Sequence, residues 1–233
     1  MGYGYIYWDP TYILVVIGAL ICIAASAKVK TTFNKYSKYR SMSGMTGAQA
    51  AQRILNAAGI CDVRIQHVSG SLTDNYNPSN KTLNLSDSVC NSTSVAAVGV
   101  AAHECGHAIQ HASNYAPLNL RSAIVPIANL GSSLSWPIFL AGLLFSVKSL
   151  TTLGIVLFSL AVLFQLVTLP VEFNASSRAL RMLETTGILS REENAGAKRV
   201  LTAAALTYVA ALASSVLQLL RLIILAGGRN RDD

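Results

Sequence analysis

The chain predicts a mainly α-helical membrane protein: a bundle of three to four transmembrane helices with a small α+β part on one side of the bilayer. Three observations predict it. Of 233 residues, 52% are hydrophobic and only 12% charged, whereas a soluble domain carries about 25% charged residues. Mean hydropathy is +0.44. Residues 122–147 and 149–171 carry no charge, and each run exceeds the roughly 20 residues that cross a hydrocarbon core. A net charge of +7 would suggest nucleic acid in a soluble protein. Here the basic residues border apolar segments, so they read as orientation signals in a bilayer, with no nucleic-acid partner.

Residues 1–10 are rich in aromatics, with no basic side chain, which suits a membrane–water interface. A first transmembrane segment is expected over about 11–27. Lys28, Lys30, Lys35, Lys38 and Arg40 follow it. Ala25-Ser26-Ala27 resembles a cleavage site, but a signal peptide carries its positive charge in front. The segment therefore reads as a retained anchor, with the N-terminus outside and the lysines in the cytosol. Thr46 and Gln49 form a capping box for a helix over 47–58, closed by Gly59. Val63, Ile65 and His67 alternate as in a strand, and Thr82–Ser86 alternates again. Turn formers fill 70–80 between them. A small sheet or hairpin is expected, serving either as a substrate-binding edge or as structure alone.

Further transmembrane segments are expected over about 123–147, 149–171 and 200–220. Residues 146–149 make a tight link between the second and third. The third continues as a helix to Gly187, and Ser190 with Glu193 makes a second capping box. The polar stretches, about 28–121 and 172–199, form one catalytic part, since the second is too short to bury a core alone. The whole chain, 1–233, then makes a single membrane-embedded domain. The four cysteines show no C-x-x-C spacing, so free thiols in a reducing compartment are expected.

The chemistry-bearing stretch is His103-Glu104-Cys105-Gly106-His107. It lies in a proline-free run of small and apolar residues that reads as one buried helix, capped near Asn91 or Ser92 and ending near Asn114. Positions four apart share a helix face, so His103 and His107 can reach one metal ion. Glu104 sits beside them as a base for water. This is the H-E-x-x-H zinc-hydrolase arrangement. A pair of hydrogen-bonded core histidines is the plainer alternative, disfavoured because buried polar groups need something to satisfy them.

A catalytic zinc takes three protein ligands. His111 continues the i, i+4, i+8 series, but it lies about 12 Å along the axis from His103, too far for one ion. It is assigned instead to the surroundings of the ligands or to the surface. Glu172 is the better third ligand. It follows Pro170 at the end of an apolar run, and a membrane hairpin over 123–171 returns it to the side of the histidines. Its alternative role is a partner for Arg178 or Arg121. Ser176, one turn on, is placed to hydrogen-bond a ligand histidine.

Ala101–His111, together with Leu169-Pro-Val-Glu-Phe-Asn-Ala-Ser-Ser-Arg-Ala179, resembles the YugP-type neutral zinc metallopeptidases of bacterial membranes, over nearly the whole chain. Glu172-x-x-Ala175 is more distantly similar to the third-ligand helix of HtpX-type membrane proteases, where an aspartate usually stands at the position of Ser176. The YugP-type Leu-x-Asp-His-Tyr-Asp-Pro hairpin reads Leu72-Thr-Asp-Asn-Tyr-Asn-Pro78 here, so Asn75 has no acid or base to offer. The resemblance implies a bacterial inner-membrane, multi-pass protein.

The expectation is a membrane-bound zinc endopeptidase with a zincin-like catalytic part on the cytosolic side. It would act on membrane-associated or cytosolic proteins, with His103, His107 and Glu172 as ligands and Glu104 as general base. Tyr76, Tyr115, Tyr208 and Arg178 are candidate oxyanion donors. One alternative is a non-catalytic, zinc-stabilised membrane adaptor for another protease. Another is a small transporter using the same residues as an ion path, against which the charges avoid the spans.

Overall fold

The computed structural model describes residues 9–228. The aromatic N-terminal stretch up to Trp8, and Arg229 and Arg231 at the other end, lie outside the described residues. Six helices and three strands follow in order: α1 (Tyr12–Tyr36), α2 (Gly47–Ala57), β1 (Arg64–Val68), β2 (Asn75–Asn77), β3 (Thr82–Ser86), α3 (Val95–Ala112), α4 (Ala116–Leu144), α5 (Lys148–Thr185) and α6 (Arg191–Gly228). Four helices are long and apolar enough to cross a membrane: Tyr12–Tyr36, Ala116–Leu144, Lys148–Thr185 and Arg191–Gly227. The fold is that of a helical membrane protein with a small α+β part. All four cysteines are unpaired.

The helices run past the expected spans because nothing in the sequence breaks them at the apolar boundary. α5 continues through Glu172 to Thr185, and α6 begins at Arg191. There Ser190 and Glu193 exchange the two bonds of a capping box. The Thr46–Gln49 box is present on α2. Gly59 and Gly187 close α2 and α5 at φ of +70° and +63°, a conformation that costs glycine nothing.

The chain packs as two compact units. One comprises the described residues up to Ala24, Ile124–Leu166 and those from Val209 on; the other is Ala25–Ala123 with Val167–Tyr208. In the first unit α1 and α6 run antiparallel. Cys22 Sγ donates to the Ala210 carbonyl, a Cβ on Gly18 would meet Ser214, and Arg221 reaches back to Asp9 and Thr11.

The second unit holds the main core. α2 and α3 pack through Ala50, Ala51, Ile54, Ala97, Val98, Ala101 and Cys105, all fully buried. Small residues on α3 let its neighbours approach closely. The sheet order is β1-β3-β2, with β1 parallel and β2 antiparallel to β3. Central β3 buries Leu83 and Leu85 completely. β2 emerges within the turn-rich 70–80 stretch, where local propensity disfavours a strand. Cross-strand pairing wins: Asn84 Nδ2 donates to Asn75 Oδ1 at 2.8 Å.

The helix carrying the histidines starts later than its sequence indicated. Its N-cap is Ser94, whose Oγ accepts from Ala97 N, rather than Asn91 or Ser92. Residues 90–95 are held by backbone bonds to 39–48: Ser41 N to Thr93 O, Gly47 N to Ser92 O and Val95 N to Tyr39 O. The helix can begin only where that pairing ends. It ends at Ala112 with Ser113 as its C-cap, and Asn114 turns the chain away at φ +49°.

Candidate metal centre

α3 and α5 bring the predicted ligands together. One ligand atom from each of His103, His107 and Glu172 lies within 4.8 Å of the others. Glu172 Oε2 is 3.3 Å from His103 Nε2 and 3.6 Å from His107 Nε2. The rings meet edge to face, 4.8 Å between centroids. Among the described residues no other group of histidines, cysteines and carboxylates converges in this way.

Gly106 makes the approach possible. A Cβ there would lie 2.4 Å from the Ala175 carbonyl oxygen on α5. Only a residue without a side chain lets the backbones of α3 and α5 come this close, and that closeness carries Glu172, one turn before Ala175, to the two histidines. Ala175 and Ala179 are fully buried along the contact.

Both histidines are oriented from behind. His103 Nδ1 lies 3.1 Å from Ser176 Oγ. His107 Nδ1 lies 3.0 Å from Gln110 Oε1. Gln110 is fully buried, and its Nε2 donates to the Val171 carbonyl and to Asn174 Oδ1. A carbonyl oxygen only accepts, so His107 carries a proton on Nδ1, and Nε2 is the nitrogen that faces Glu172. A metal-ligating histidine is held in this way. The arrangement uses Gln110 and Gly106, neither of which the sequence reading singled out. Gln110 is three residues past His107, on the adjoining face of the same helix, and that spacing was the available signal.

The donor set fits a metal ion. Glu172 is 2% exposed, and its Oε2 has no hydrogen-bond partner. Arg121 Nη1 stands 3.8 Å from the other oxygen, Oε1, so the carboxylate is partly neutralised on one side only. A buried carboxylate oxygen facing two imidazole nitrogens is costly unless a cation joins them. Two histidines and one glutamate are also a known catalytic zinc set, which leaves a coordination position open.

The remaining site residues fall around this centre. Glu104 is buried and lines a cavity of about 560 Å³ together with His103, Glu172, Ser176 and Tyr208. Burial pushes its carboxyl up, against the opposing effect of the two histidines, and Glu172 and Asp74 push the same way. Asp74 lines the cavity too, held by Ser86 N and Ser86 Oγ at 2.8 and 2.9 Å. His111 is not among the convergent atoms; its Nδ1 meets Tyr76 Oη at 2.8 Å. Of the candidate oxyanion donors only Tyr208 lines the cavity. Arg178 donates to Asn174 Oδ1 and lies over Tyr115. Cys105 is buried, which raises its thiol pKa and leaves it inert.

A family model described as "Putative neutral zinc metallopeptidase" matches residues 11–227. A curated protein of Bacillus subtilis (strain 168), named "Putative membrane protease YugP", is 46% identical over 223 residues, covering 95% of this chain and 99% of that protein. No solved structure matches.

Proposed function

This chain belongs to the neutral zinc metallopeptidase family, and on that premise we propose that it is a membrane-bound zinc endopeptidase. The observation that carries the reading is the buried, unpartnered Glu172 Oε2 facing two histidines whose Nδ1 atoms are already engaged. His103, His107 and Glu172 are the zinc ligands, with Ser176 and Gln110 orienting the histidines. Bound zinc supplies Lewis acidity, which makes water a nucleophile near neutral pH and polarises the scissile carbonyl.

The protein's own residues do the rest. Glu104 takes the proton of the attacking water and delivers it to the leaving amine. Its burial suits both steps, because a raised pKa makes the carboxylate a better base and the acid form easier to reach. Tyr208 is the cavity residue best suited to donate to the developing oxyanion. β2 is an edge strand, and Ser71, Leu72 and Asp74 just before it line the cavity. A substrate backbone joining that edge would extend the sheet. Substrates are membrane-associated or cytosolic proteins, and the site faces the cytosol of a bacterial cell. A topology reporter fused at residue 35 is expected to read cytosolic and one at residue 148 external; the reverse pattern would overturn the orientation.

The mechanism is tested by Glu104→Gln, which keeps shape and hydrogen bonding but removes the base. The variant is expected to bind zinc as the wild type does and to lose cleavage of an unfolded membrane-protein substrate by at least about 10²-fold. Full activity in Glu104→Gln would sink the mechanism. A wild type inert on every substrate, with cellular function surviving the substitution, would favour the adaptor reading.

A further inference from the structure

A second cavity of about 560 Å³ lies between α1 and α6, away from the metal centre. Lys28 and Lys35 line it from α1, and Lys198 and Arg199 from α6. The two lysines of α1 are seven residues apart and share a face. No carboxylate lines this cavity. Among the described residues none of the four cations has a carboxylate partner. Arg199 Nη1 donates to Tyr36 Oη across the groove at 3.0 Å. That bond ties the two helices together and leaves four of the five guanidinium N–H donors free.

The cavity is not cationic throughout. Ala203 and Leu206 also line it, and they lie in the uncharged run that follows Arg199 and makes α6 apolar enough to cross a bilayer. Leu206 is 44% exposed. Both helices therefore offer positive charge to the groove, and α6 adds apolar surface where it passes from polar to apolar sequence. On α1, Lys28 is the first charge after the apolar run.

We propose that this groove binds one anionic glycerophospholipid, with its phosphate among Lys28, Lys35, Lys198 and Arg199 and an acyl chain along Ala203 and Leu206. Four like charges around one cavity repel each other until an anion enters. A free phosphate would satisfy the charges and leave the apolar wall bare, whereas a phospholipid covers both. Cations beside a membrane span attract anionic headgroups for the same reason. The bound lipid bridges α1 to α6 at the water-facing end of the groove. The inference does not depend on the peptidase reading.

The test uses the full chain in a neutral detergent, with native mass spectrometry in an equimolar mixture of phosphatidylglycerol and phosphatidylcholine. The wild type is expected to retain phosphatidylglycerol by about tenfold over phosphatidylcholine, from the attraction of several cations for one headgroup. The combined variant Lys28→Gln/Lys35→Gln/Lys198→Gln/Arg199→Gln should lose that preference, and Lys148→Gln should keep it. If the fourfold variant does not fold, Lys28→Gln/Lys198→Gln carries the same expectation without touching the Arg199–Tyr36 bond. Equal retention of the two lipids by the wild type, or an undiminished preference in both groove variants, overturns the proposal. So does displacement of the lipid by excess inorganic phosphate, which would assign the charges to a free anion.

Discussion

Two buried polar clusters in this chain contrast in how they are satisfied. In the first unit Arg221, 7% exposed, is paired with a carboxylate. Its Nη2 donates to Asp9 Oδ2 and its Nε to Thr11 Oγ1, each at 3.2 Å. Its guanidinium also lies over Tyr12, 4.1 Å from the ring centroid. In the second unit Glu172 faces two imidazole nitrogens with an oxygen that has no partner. The first cluster is a closed ion pair and works as structure. The second is open in the way a cation site is open. Burial of charge alone does not separate the two; the count of satisfied lone pairs does.

The contrast breaks most sharply on metal content. Glu172→Ala is expected to abolish bound zinc, which should stand at about one per chain in the wild type. Asp9→Asn should lower the melting temperature in detergent and leave zinc unchanged. Metal analysis of both purified proteins decides it, and a Glu172→Ala protein with full zinc would return Glu172 to the role of a partner for Arg121.

Gly106→Ala comes next. The added methyl has to displace the Ala175 backbone, an overpacking that costs about 1–3 kcal/mol in a core. The expected result is a protein that folds with lower stability and loses most of its zinc, because Glu172 moves off with α5. A Gly106→Ala protein with wild-type zinc affinity would mean that the close helix contact is not what assembles the site.

The smallest effect sharpens the comparison. Gln110→Leu removes the acceptor that fixes His107, and zinc affinity should fall by about 10- to 100-fold, as it does when such supporting partners are removed elsewhere. His111→Ala should leave affinity unchanged, since His111 is engaged with Tyr76. Competition with a chelator measures both. Equal losses in the two variants would show that the helix, rather than the Gln110 bond, is being perturbed.

Much of this was legible in the sequence. Apolar run length marks the four long helices, because length and hydropathy are local properties. The capping boxes at Thr46 and Ser190 were readable, since each is made by residues three apart. The pairing of His103 with His107 follows from helical spacing alone. The family resemblance rests on the same residues, and the comparisons establish it.

Only tertiary structure decided the rest. The start of α3 at Ser94 depends on backbone bonds to 39–48, and β2 exists because β3 pairs with it, although Asn-Tyr-Asn is a poor strand by itself. Gly106 in the sequence is one small residue inside a motif. It gains its meaning from the α5 backbone 2.4 Å from where its Cβ would be. Gln110 reads as a polar residue in the last turns of α3 until Val171 and Asn174 from α5 enclose it. Local spacing sets which residues share a helix face. Which face meets which is set by packing between segments more than sixty residues apart, and no periodicity within either segment records that choice.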